Sequence, residues 1–203
     1  MNVRVVAVSL TVVALLSACL SIETHIAFDD RDSGTITNVY RIDSEYIVDD
    51  TSASPSGELP LPVSQADARS TARLVDGLTL EGYERAADGD REVIEIRFRF
   101  DSISALNGAY ATVAGDTPIV FEGDSYRQRI GEGRDNGVPD EAAELLGLFV
   151  GEEDRISFSV SFADTISSVS EGSIETDSKA VLERTLGDVL EDTGARYWEI
   201  ELE

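Results

Sequence analysis

The sequence predicts an α+β fold: an antiparallel β-sheet built of hairpins, with two or three short helices packed on one face. Three observations carry this. Stretches of strictly alternating apolar and polar residues recur along the chain, as in REVIEIRFRFD at 91–101 and RISFSVSFA at 155–163. Turn-forming Asp, Gly and Ser residues separate successive stretches at hairpin spacing. No strand–helix–strand alternation and no internal repeat is visible, which argues against a parallel sheet or a solenoid.

The elements follow in order. Ser21 to Asp29 alternates, with Ile22, Thr24, Ile26 and Phe28 on one face and Glu23, His25 and Ala27 on the other. Asp29-Asp30-Arg31-Asp32-Ser33-Gly34 is a turn, because Asp and Ser bond their own backbone and Gly accepts positive φ. Thr35 to Asp43 is β-rich and closes the first hairpin; Glu45 to Val48 extends it or starts another short strand. Residues 49–63 form a loop or linker rich in Pro, Ser and Asp. Ser64 then reads as a helix N-cap with Asp67 as its capping partner, and the helix runs to about Val75 before Gly77. Leu78 to Ala86 and Arg91 to Asp101 flank Asp88-Gly89-Asp90 as a second hairpin. Ser102 to Asn107 is one helical turn ended by Gly108. Pro118 to Glu122 and Asp124 to Ile130 are short strands around Gly123, and Gly131 to Gly137 is a loop. Pro139 opens an amphipathic helix to about Phe149, Pro being suited to a first helical turn. Arg155 to Ala163 is a strand with its serines outward, and Ile166 to Ile174 is short and polar. Over 179–190, Leu182, Leu186, Val189 and Leu190 favour a helix face, with a strand followed by a turn as the alternative. Arg196 to Leu202 closes with a strand, for about eight in all.

Composition bounds function. The 203 residues carry 40 acidic and 16 basic side chains, a formal charge of −24. Nucleic acid is excluded as a partner, since its binders need a basic stripe to neutralise phosphates. Anionic membrane surfaces are disfavoured by the same repulsion. The chain holds one cysteine, so no internal disulfide forms.

That cysteine carries the clearest motif. Met1 to Arg4 bears one positive charge, Val5 to Leu16 is continuously weakly polar or apolar, and Leu16-Ser17-Ala18-Cys19 follows. The run is too short for a bilayer, which needs about 20 residues, and has the anatomy of a secretory leader. The four-residue box resembles the lipobox of bacterial lipoproteins. The resemblance implies cleavage between Ala18 and Cys19 and transfer of diacylglycerol, with a further acyl chain such as palmitate, to Cys19. It divides the chain into a signal peptide, 1–18, and a single α+β envelope domain, 19–203. It places the body at the cell envelope, in the periplasm or outside; Leu20, not being Asp, favours the outer membrane where there are two. The body also resembles the LppM-like domain of bacterial lipoproteins. The carriers are the Ile22–Ile42 hairpin directly after Cys19, Phe98-Arg99-Phe100-Asp101-Ser102-Ile103 leading to Leu106-Asn107, and the late strand Ile156–Phe162. That resemblance implies a lipid- or glycolipid-binding role.

Catalytic chemistry finds no constellation in the sequence, and no catalytic residue is assigned. The lone histidine, His25, lies on the outward face of the first strand, where a solvated residue is expected. One His and one acylated Cys cannot fill a zinc shell. The Asp29/Asp30/Asp32 and Asp88/Asp90 turns offer carboxylates to Ca²⁺, but neither follows the twelve-residue calcium loop. No metal or cofactor is assigned. The expected function is a non-enzymatic binding or assembly module attached to the membrane through Cys19, for a lipid or glycolipid. The alternatives are a structural or surface lipoprotein engaging an envelope protein and, more weakly, an envelope hydrolase.

Overall fold

The computed structural model describes residues 21–44, 63–114, 119–131, 154–191 and 195–203. The leader, Cys19, the 45–62 stretch, most of the Gly-rich loop and the Pro139–Phe149 helix lie outside the described residues.

The body is mixed α+β, mostly strands, in two sheets with three helices among the described residues. The strands are β1 (Ser21–Phe28), β2 (Gly34–Asp43), β3 (Leu78–Asp88), β4 (Arg91–Phe100), β5 (Ile119–Glu122), β6 (Ser125–Gly131), β7 (Arg155–Ser161), β8 (Ile166–Val169), β9 (Ser173–Thr176), β10 (Lys179–Thr185) and β11 (Arg196–Leu202). The helices are α1 (Gln65–Leu74), α2 (Ile103–Ala114) and α3 (Leu186–Glu191). The large sheet has the order β3-β4-β2-β1-β7-β10-β9, and the small one β5-β6-β11-β8.

The predicted hairpins β1–β2, β3–β4 and β5–β6 are present and antiparallel. The sheet is not simply a stack of hairpins. β1 pairs in parallel with β7, Ile22 beside Ile156 and His25 beside Ser159. Such a pair needs a long crossover, and no local pattern announces it. Three further expectations are corrected. The 179–190 stretch is strand β10 followed by the short helix α3, because Ala180 and Leu182 bury opposite Val160 and Phe158 on alternate positions. The polar Ile166–Ile174 stretch divides into β8 and β9, the chain passing from the small sheet to the large one at Gly172. Finally, α2 runs through Gly108 instead of stopping there. A Cβ at that glycine would stand 2.7 Å from Val75 Cγ1, so the missing side chain serves the close approach of α2 to the end of α1.

α1 is capped as the sequence indicates. Ser64 Oγ accepts from the Asp67 amide at 3.1 Å and donates to Asp67 Oδ2 at 2.6 Å. The core lies between the inner face of the large sheet and the small sheet. Ile26, Ile36, Tyr40, Ile94, Ile96, Phe100 and Val160 come from the former; Ile119, Tyr126, Trp198 and Ile200 come from the latter. Phe28 stands at the junction, stacked on Phe162 with centroids 5.5 Å apart and edge-on to Phe100, Phe121 and Tyr126. Burying such rings drives the packing, and their edge-to-face contacts fix its geometry.

A polar chain crosses this interior. Thr24 donates to Asn38 at 3.0 Å, Gln128 donates to Tyr110 at 3.3 Å, and Tyr126 donates to Gln128 at 2.8 Å. Burial pushes the Tyr40 phenol up to about 12 and lifts those of Tyr110 and Tyr126 well above their usual range. No helix among the described residues is long and apolar enough to cross a membrane.

Candidate functional site

The inter-sheet space is occupied by the aromatic cluster, so the concave surface of interest is on the other side of the large sheet. There β1, β7, β10 and β9 form a shallow groove of about 280 Å³. Strand alternation builds it. Ile22, Thr24 and Ile26 of β1 point inward, which sends Ser21, Glu23 and His25 outward. The parallel register then sets Arg155, Ser157 and Ser159 of β7 beside Ser21, Glu23 and His25 in turn. The antiparallel register on the other side sets Glu183 and Val181 of β10 beside Ser157 and Ser159. Glu175 of β9 and Lys179 of β10 close the far wall.

The groove is polar and internally paired. Arg41 of β2 is ion-paired with Glu23 Oε1, while His25 Nε2 lies 3.5 Å from Glu23 Oε2. Lys179 Nζ is 2.6 Å from Glu175 and Arg155 Nη1 is 3.9 Å from Glu183. At the floor, His25 Nδ1 is 2.7 Å from Ser159 Oγ. The serine is 4% exposed and the histidine side chain 41%. The structure thus places His25 on the outward face as expected and adds partners the sequence does not disclose. Ser159 was legible only as an outward serine of its strand. What joins it to His25, 134 residues away, is the parallel pairing.

Ser159, His25 and Glu23 stand in the order of a nucleophile, base and orienting acid. The surroundings differ from an acyl-transfer site. Ser159 sits in a strand laddered on both sides, so the amides beside it are committed to β1 and β10 rather than aimed at an oxyanion. The arrangement offers hydroxyls, carboxylates and cations to a polar ligand.

The Asp-rich turn after β1 is structural. Asp30 accepts from the amides of Asp32 and Ser33 at 2.8 and 2.7 Å, and these bonds, the Asp32 amide first, hold its carboxyl below the usual carboxylate range. Asp29 pairs with Arg99 at 2.7 Å, and Asp32 accepts from the Ile103 amide at the start of α2. Arg31 reaches the small sheet, donating to Gly123 O at 2.8 Å and Asp124 Oδ1 at 2.7 Å. Among the described residues, no group of three or more His, Cys, Asp or Glu side chains is placed to hold a metal ion.

No family model and no curated protein matches the chain. A solved structure does: the NMR structure of the folded domain of Mycobacterium tuberculosis LppM is similar over 92% of this chain and 91% of that one. The TM-score is 0.55 and the sequence identity 10%. At that identity the likeness is one of architecture, and the chain shares the fold of the LppM folded domain.

Proposed function

We propose that this chain is a lipid-anchored protein of the bacterial envelope that binds, without transforming it, the polar part of a lipid or glycolipid in the groove of β1, β7, β10 and β9. One observation carries the reading: Ser21, a wall of the groove, lies two residues after Cys19. Two residues of extended chain span at most about 7 Å, so a membrane tether at Cys19 holds the groove at the headgroup layer. The chemistry agrees. Hydroxyls of Ser21, Ser157 and Ser159 and the paired charges around them offer donors and acceptors to a polar ligand, without a net local charge to repel it. Two or more acyl chains on Cys19 give firm attachment, where a single chain holds only marginally.

The test is native mass spectrometry of the full-length gene product extracted from its own envelope. The mature mass should begin at a diacylglyceryl-modified Cys19, and a lipid or glycolipid should be retained. Ser157→Leu, which fills the groove from a half-exposed position, should lose that ligand while keeping the parent melting temperature. Cys19→Ser should leave the leader uncleaved or the protein free of membranes. An unmodified thiol at residue 19, or a ligand held equally by the Ser157→Leu form, overturns the corresponding half of the proposal.

A further inference from the structure

We propose that the His25–Ser159 pair is a proton-operated reversal of hydrogen-bond polarity in the groove, which opens it to an oxyanion, a phosphate diester or sulfate-like group, only when His25 is protonated. The inference rests on the groove being a binding site and adds its regulation and the ligand chemistry it admits.

The geometry carries it. In the neutral ring only one nitrogen holds a proton. The Nε2 side faces Glu23 Oε2 at 3.5 Å, and a carboxylate accepts only, so the ring proton belongs on Nε2. Nδ1 is then an acceptor, and Ser159 Oγ, 2.7 Å away, donates to it. In this state Ser159 has spent its single O–H on the ring and presents only lone pairs to the groove. Protonation puts a hydrogen on Nδ1 as well. Nδ1 now donates to Oγ across the same contact, and the serine O–H has to rotate away toward the groove. At Ser159 a group that only accepted hydrogen bonds from the groove becomes one that donates to it.

The local charge changes in the same direction. Facing His25 are Glu23 on its own strand, Arg41 and Thr37 on β2, and Arg155, Ser157 and Ser159 on β7. Beyond them lie Lys179 and Glu183 on β10, Glu175 on β9, and the Arg97–Glu95 pair on β4. Each carboxylate of this set has a cation, so the groove is balanced while the ring is neutral and gains one positive charge when it is not. Ionic screening over about 8 Å at physiological salt keeps the distant acidic surface from masking that change. Histidine is the side chain type that changes charge between about pH 5 and 8, and this is the chain's only one.

The experiment uses the mature lipid-anchored chain in phosphatidylcholine nanodiscs, where a single imidazole gives an unambiguous ¹⁵N spectrum. The ring should be the Nε2–H tautomer wherever the spectrum reports it neutral, and should carry a proton on Nδ1 as well wherever the spectrum reports the imidazolium. Sulfate, whose charge is constant over this range, should bind at pH 5 at least about tenfold more tightly than at pH 8, the size of one charge-assisted hydrogen bond. His25→Gln should abolish the difference, and Ser159→Ala should weaken sulfate at pH 5 only. Nanodiscs containing phosphatidylglycerol should perturb the ring without sulfate if the oxyanion is a membrane headgroup; a response to sulfate alone assigns a free solute. An Nδ1–H tautomer of the neutral ring, or a pH dependence that survives in His25→Gln, overturns the reversal. Neither result touches the groove reading, which stands or falls on ligand retention by the Ser157→Leu form.

Discussion

At the scale of single residues, the most informative side chains are those whose charge is already spent. Asp30 closes the β1–β2 turn by accepting from two backbone amides and from the Ser33 hydroxyl. Its carboxyl is held below the ordinary range, so its contribution to stability is complete above the unfolded value of about 4 and disappears as the pH falls through the lowered folded value. Asp30→Asn should therefore lower the melting temperature near neutrality, where the carboxylate's contribution is complete, and flatten the acid limb below about pH 4 as the two proteins converge. An unchanged acid limb would show that the turn does not depend on the carboxylate. The same turn explains why its three aspartates could be seen in the sequence but not interpreted there. Turn chemistry was legible from Asp, Ser and Gly; the partners Arg99, Ile103 and Asp124 lie 70 residues or more away.

At the scale of elements, period-two alternation was the reliable signal. β1, β4 and β11 follow it, and their apolar faces are the ones that bury; β2 and β7 also bury a residue of the opposite face, Val39 and Ser159. It failed where packing overrode local preference. In β10, leucines at helical spacing serve a strand and the helix beginning at Leu186. In α2, a glycine that reads as a stop is retained for a close approach. Depth along a face also escaped the pattern. Phe98 is 5% exposed, whereas Phe158 is only partly buried against the core. Phe98→Ala should cost ~3–5 kcal/mol in chemical denaturation. Phe158→Ala should cost less, roughly 1–3 kcal/mol, since less of its surface leaves water on folding. Equal losses would place the second ring deeper than its packing indicates. The groove was illegible for a related reason: its walls are recognisable singly, but the pairing of β1 with β7 is a property of the assembled sheet.

At the scale of the whole molecule, a dense interior carries a strongly anionic surface. Three of the six tyrosines, Tyr40, Tyr110 and Tyr126, have phenols raised by burial. Unfolded phenols ionise near pH 10, so this stabilisation is complete below that pH and drains away above it, through about 12 for Tyr40. Ultraviolet titration should show these phenolates appearing together with the loss of near-ultraviolet circular dichroism. Their ionisation near pH 10 in a folded chain would mean that solvent reaches the inter-sheet space. With a formal charge of −24, melting should also rise with added sodium chloride as self-repulsion is screened.

The position of β1 has a mechanical consequence. It is the first strand after residue 19, yet it lies inside the large sheet, laddered to β2 on one flank and to β7 on the other. A pull transmitted from residue 19 along its axis loads both ladders in shear, so their bonds share the force instead of peeling open one after another. Drag on a tethered domain would then be borne by an interior strand bonded along both flanks.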